Sequence, residues 1–377
     1  SWVQVSGFPS LMVGSIAVAG NGDVYVGTGS EFDWAGGEGN SGFRGRGIYL
    51  STDDGQTFTM VDGTDPGEFG SGDFSAVDAL CADPTNVDRV WYGSSGSYGH
   101  ITNGVVEEDP GSGGPANVSD IAIASDGSYM MVAALNGKVY RADDFTDGEP
   151  SFASISAGGS GNGMLPQSGV GRARIAISHT HPENAFALFA TSGGLFHGLH
   201  FSGESGVAES WNECWPGGID TSTPLERAQG IYDLALGIPN GGNSDLAYVG
   251  GISLWRSGPF QQAEQAAISM DIPGFPYGIH ADVQDIVVAP SGTMYVTTDG
   301  GIYKSDDGGY SYTECNHNYN VTQFYGIAHS AGPAVMGSTQ DNGTLFIPTG
   351  NYFLSEQNAY EVHGGDGFDC AFSQVTA

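Results

Sequence analysis

The 377 residues include 43 acidic and 10 basic side chains, and a formal net charge of −33 excludes phosphate backbones and anionic membranes as partners by simple repulsion. With 39% hydrophobic and 14% charged residues the chain is not disordered by composition, and 62 glycines outside any G-x-y register exclude collagen and point to many tight turns. No run approaches the roughly 18 apolar residues that a membrane helix needs, so no direct membrane insertion is expected.

In chain order, SWVQVSG (1–7) comes first, and its Trp2-Val3-Gln4-Val5 matches the later Phe58-Thr59-Met60-Val61. SIAVAGNGDVYVG (15–27) is a strand, a polar turn and a second strand, continued by GRGIYLS (45–51) and TFTMVDG (57–63). The same grammar returns in VDALCADPTNVDRVWYGS (77–94), in DIAIASDGSYMMVAA (120–134) with GKVYRA (137–142), and in RIAISHTHPENAFALFA (174–190) with GGLFHG (193–198). It continues in YDLALGIPNGGNSDLAYVGG (232–251) with ISLWRS (252–257), in DIVVAPSGTMYVTT (285–298) with GGIYKS (300–305) and SYTEC (311–315), and in YGIAHSAGPAVMGST (325–339). A period of about 50 residues and four antiparallel strands per unit predict an all-β fold, a β-propeller of about seven four-stranded blades. Such a unit cannot bury both faces alone, and stacking around an axis leaves only short edges.

The expected propeller covers 1–364, with strand 1–8 completing the last blade. GDGFDCAFS (365–373) reads as the first strand of a further blade, truncated within 365–377. A chain that begins at Ser1 without Met then reads as a trimmed form, or the first part, of a larger multi-propeller protein. Cys81, Cys214, Cys315 and Cys370 show no metal spacing, and both isolated thiols and three disulfide pairings stay open.

Two turns carry a specific signature, S-x-D-x-G-x-[ST]-aromatic. They are Ser51, Asp53, Gly55, Thr57 and Phe58, and then Ser305, Asp307, Gly309, Ser311 and Tyr312. The carboxylate can accept the amides of its own turn, glycine supplies a positive φ, and the hydroxyl ties the turn again, so the expected role is structural. The two boxes stand about five periods apart, in register with the blades.

On these boxes the sequence resembles the Asp-box (BNR-repeat) propellers, the superfamily of sialidases, xyloglucanase-type glycoside hydrolases and sortilin-like proteins. The likeness is greatest to sortilin-like propeller regions of large secreted Bacteroidetes proteins. Further residues that carry it are His280-Ala281-Asp282-Val283-Gln284-Asp285, Thr298-Asp299-Gly300-Gly301, Val321-Thr322-Gln323-Phe324-Tyr325, Thr339-Gln340-Asp341-Asn342-Gly343-Thr344 and Gly364-Gly365-Asp366-Gly367-Phe368-Asp369. The resemblance implies an extracellular or outer-surface location, often reached through type IX secretion.

Candidate binding residues are those expected where the segments leading into innermost strands converge on a channel: His280, Asp282, Gln323, Tyr325, His363 and Asp366, with Asp369, Asp120, Arg172, Gln229 and Tyr232 joining them. Paired carboxylates across a cleft could run glycoside hydrolysis, with Asp282 and Asp366 as the candidate pair. The eight arginines (Arg44, Arg46, Arg89, Arg141, Arg172, Arg174, Arg227 and Arg256) include no sialidase motif, which argues against that chemistry.

No motif demands a cofactor. Ca2+ is the cation that Asp62-Gly63-Thr64-Asp65 and Glu107-Glu108-Asp109 would suit, although solvated turns account for them as well, as they do for His179-Thr180-His181. Phe32-Asp33-Trp34, Trp211, Trp215 and Tyr277 could stack on sugars or fill gaps between blades. The expectation is a secreted or surface module for binding, adhesion or assembly, with an extracellular glycan or surface protein as partner. The alternative is a xyloglucanase-type hydrolase with part of its active site in a missing second propeller.

Overall fold

The computed structural model describes residues 2–10, 12–32, 44–67, 72–108, 115, 117–156, 163–216, 228–240, 245–259, 261–267, 278–319, 322–348 and 359–373. These form seven four-stranded antiparallel sheets, each a meander in chain order, and no helix long and apolar enough to cross a membrane occurs among them. The seven sheets are the expected blades. Their first strands are Val13–Val18, Ala79–Ala82, Val118–Ile123, Arg172–Ile177, Ala235–Gly237, Val283–Val288 and Phe324–His329. The first six pack side by side in succession, so the blades stack around a common centre as a β-propeller.

The second strands of blades one to five are buried on both faces, which is why they read as near-continuous apolar runs. In Ala185–Ala190 every residue is buried. Ala185, Ala187 and Phe189 face the cluster shared with blade three, while Phe186, Leu188 and Ala190 face the cluster shared with blade five. Comparable clusters join blades one and two, two and three, and five and six.

The small residues that end these strands have a packing reason. A Cβ at Gly27, Gly93 or Gly250 would stand 2.5–2.6 Å from Val77, Val118 or Val283 of the following blade. Glycine lets each incoming valine approach the backbone.

Residues 2–8 form no ladder, so the outer strand expected at 1–8 is replaced by a side-chain anchor. The Trp2 amide donates to His317 O, its indole donates to Cys315 O, and its ring meets Tyr319. Phe8 then packs on Tyr49 and Phe58 of blade one. The segment expected to begin a further blade carries no ladder either. It runs beside blade seven, with Gly367 N donating to Thr339 O and Ser338 Oγ to Phe368 O. The bond Val77 N–Thr28 O occupies the equivalent position between blades one and two. All four cysteines are free thiols.

Candidate functional site

A central cavity of about 820 Å³ is lined by the first strands of blades one to six. Arg172 and Arg174 alternate along one strand of blade four and therefore project to the same side. Arg174 reaches Asp120 of blade three at 3.5 Å and Asp285 of blade six at 3.1 Å. Arg172 donates to Ile231 O at 2.7 Å and Tyr232 O at 3.0 Å, and its guanidinium lies 4.2 Å from the Phe32 ring centroid. Burial, with Arg174 close by, brings the Arg172 guanidinium down to about 9. Burial also lifts the Asp78 carboxyl to about 6. Tyr232 and Tyr319 add aromatic wall.

An acidic junction adjoins the cavity where blades five, six and seven meet. Asp299, in the hairpin between second and third strands of blade six, accepts the Tyr232 hydroxyl at 2.8 Å and the Gln284 amide at 2.9 Å. Asp341 occupies the corresponding hairpin of blade seven. One carboxylate oxygen from each of Asp282, Asp299 and Asp341 lies within 4.8 Å of the others. Asp233 is fully buried, and the Gln229 carbonyl accepts its amide at 3.0 Å. Burial and the neighbouring Asp282 push the Asp233 carboxyl up to about 9. Burial raises Asp299 to about 7, the charges of Asp282 and Asp341 adding to the effect, and burial with Asp366 raises Asp341.

Of the residues expected from sequence, Asp120, Arg172 and Tyr232 line the cavity. Asp282 joins the acidic junction, held at φ 62° by its lead into the first strand of blade six. The His280 ring faces the carbonyls of Ala281 and Asp341, each at 3.1 Å. Asp366 accepts the Asp341 amide at 3.2 Å. Gln323 takes part through its carbonyl, which accepts the Gln340 amide. Tyr325 stacks on Phe368 at 5.7 Å and is 46% exposed. His363 lies in the outer strand of blade seven, paired with Thr344 and turned to Gly364 O, so it is not on a segment leading to an inner strand. Asp369 accepts the Cys370 amide.

Sequence reasoning missed Asp233, Asp299 and Asp341 as members of one cluster. The available signal was repetition, because Thr298-Asp299-Gly300-Gly301 and Thr339-Gln340-Asp341-Asn342-Gly343 place Asp at one blade position twice.

Both turns of the S-x-D-x-G-x-[ST]-aromatic pattern close on themselves between third and fourth strands. Asp53 accepts from Ser51 Oγ, Gln56 N, Thr57 N and Thr57 Oγ1. Asp307 repeats this with Ser305, Tyr310 and Ser311. Gly55 and Gly309 have φ of 77° and 81°, and Phe58 and Tyr312 complete the two turns. Trp211 is buried between blades three and four, and Trp215 meets Phe196 and Trp255 between blades four and five, so both fill gaps. Asp33, Trp34, Asp109, Arg227, Val321 and Tyr277 lie outside the described residues.

No family model and no curated protein matches the chain. Among solved structures, the Dos1 propeller superposes with a TM-score of 0.51 at 10% identity, over 94% of this chain and 85% of that one. The chain shares its fold. PorZ, described as a bacterial surface component of the type-IX secretion system of Porphyromonas gingivalis, gives a TM-score of 0.51 at 12% identity, over 92% and 39%. A GH74 xyloglucanase from Xanthomonas campestris gives 0.46 at 15% identity, over 93% and 58%. This chain thus spans 58% of the xyloglucanase and 39% of PorZ.

Proposed function

We propose that the chain is a non-catalytic binding module, secreted or displayed on an outer cell surface, whose central cavity takes part of an extracellular glycan, or of a surface protein, as ligand. The observation that carries this reading is a cavity whose two arginines are each already held by protein groups. Arg174 is held between Asp120 and Asp285, and Arg172 is spent on backbone carbonyls and the Phe32 face. Fixed polar groups beside Phe32, Tyr232 and Tyr319 offer the mixture of stacking and hydrogen bonding that a sugar ring uses. The acidic composition supports a saline exterior and disfavours nucleic acid.

A second reading, glycoside hydrolysis, draws on one observation. Asp299, whose carboxyl burial raises to about 7, and Asp285, paired with Arg174, both line the cavity, which sets a proton-holding carboxyl beside an ion-paired one. Acid–base cleavage of a glycosidic bond uses such a division. On this reading the Asp299–Asp285 pair takes the place of Asp282 and Asp366.

Glycan-array binding with no release of reducing sugar is the expected result. Replacing Phe32 with Ala should weaken binding by about tenfold, a loss near 1.4 kcal/mol. Reducing-sugar release that Asp285→Asn abolishes would replace the binding reading with the hydrolytic one.

A further inference from the structure

The acidic junction is built from two positions of the repeat. Asp233 and Asp282 each lie just before the first strand of their blade, and Asp299 and Asp341 each lie in the hairpin after a second strand. The ladders bring these positions to one end of the blade: Val283 pairs with Thr298 in blade six, and Phe324 with Thr339 in blade seven. Adjacent blades therefore deliver carboxylates from separate segments to one point.

Protein cations do not neutralise that point. Among the described residues, no ion pair to Lys or Arg reaches Asp299 or Asp341. A second, independent observation comes from Asp233. It is 0% exposed, neither of its carboxylate oxygens meets a hydrogen-bond donor outside its own residue, and it abuts the Asp282 carboxyl. A buried cluster of four carboxyls is costly unless protons or a positive charge compensate it.

We propose that Asp282, Asp299 and Asp341 hold one Ca2+ ion between blades six and seven, with the buried Asp233 packed directly behind Asp282. The donors are oxygen only, which selects a hard cation over zinc or copper. Ligands from three separate segments impose no octahedron, and Ca2+ accepts irregular shells of 6–8 oxygens completed by water. Asp299 also lines the central cavity, which gives ion and water a way in.

The experiment titrates chelator-treated chain with CaCl2 by calorimetry and thermal melting, and with Tb3+ by luminescence. Saturable one-site binding, a rise in Tm, and Tb3+ emission sensitised through Tyr232, whose hydroxyl sits on Asp299, are expected. Asp341→Asn should weaken Ca2+ by about tenfold or more. In chelator its Tm should equal or exceed that of the wild type, since a like charge is gone, an effect that a purely structural aspartate would not give. Asp65→Asn, in another acidic loop, should change neither quantity. Wild-type protein that binds neither ion at millimolar concentration, Mg2+ that matches Ca2+, or undiminished affinity in Asp341→Asn would overturn the assignment. Should Asp341→Asn not fold, Tyr232→Phe decides, because undimmed Tb3+ emission from that variant places the ion elsewhere.

Discussion

Asp53 and Asp307 each engage four donors, all within four residues of the carboxylate, and this locality made both turns readable as a motif. The Thr57 and Ser311 hydroxyls foremost, with turn amides, hold the two carboxyls down to about 2. A carboxyl depressed in the folded state stabilises it above the ordinary pKa of about 3.8, and that contribution fades as pH falls towards 2. Asp307→Asn should therefore lower Tm at pH 6, and the gap from the wild type should close as pH falls to about 2, read by thermal melts across that range. A gap that does not change with pH would mean the turn is held by shape and not by charge. Asp233 is the opposite case. Its neighbours are separated from it by tens of residues of sequence, so a lone Asp before Leu234 looked like any strand start.

Strands that alternate towards two neighbours made the blades legible, since Ala185–Ala190 buries every side chain and left no polar face to confuse the reading. Phe189→Ala should cost about 3–5 kcal/mol in urea unfolding, because it empties the contact of blade three with blade four, and Leu188→Ala about 2–5 kcal/mol on the other face. A loss below 1 kcal/mol at either site would mean that the blades are not packed as tightly as the clusters indicate. The termini were harder to read. Trp2-Val3-Gln4-Val5 has the alternation of an outer strand, yet the indole of Trp2 finds Cys315 O and the ring of Tyr319, and that anchor fixes the segment without a ladder. Pattern alone does not distinguish an apolar side chain that pairs in a sheet from one that plugs a loop.

At the scale of the molecule, the repeat period told how many blades to expect but not which inner residues would meet. Arg174 was read only as one arginine among eight, yet it joins blades three, four and six. Arg174→Ala should lower stability by about 3 kcal/mol, mainly because the largely buried Asp120 loses its partner, the half-exposed Asp285 losing its own as well, and Arg174→Ala with Asp285→Ala should recover part of that loss in a double-mutant cycle. Strict additivity in that cycle would show that the pair carries no coupling.

The reach of Arg174 from the fourth blade to the sixth has a mechanical meaning. The Arg174–Asp285 pair ties two non-adjacent blades together at the wall of the cavity that both residues line. A polymer that wedged the two blades apart would have to pull Arg174 away from Asp285, whereas a chain end dipping in, or a strand laid over the rim, would leave the brace in place.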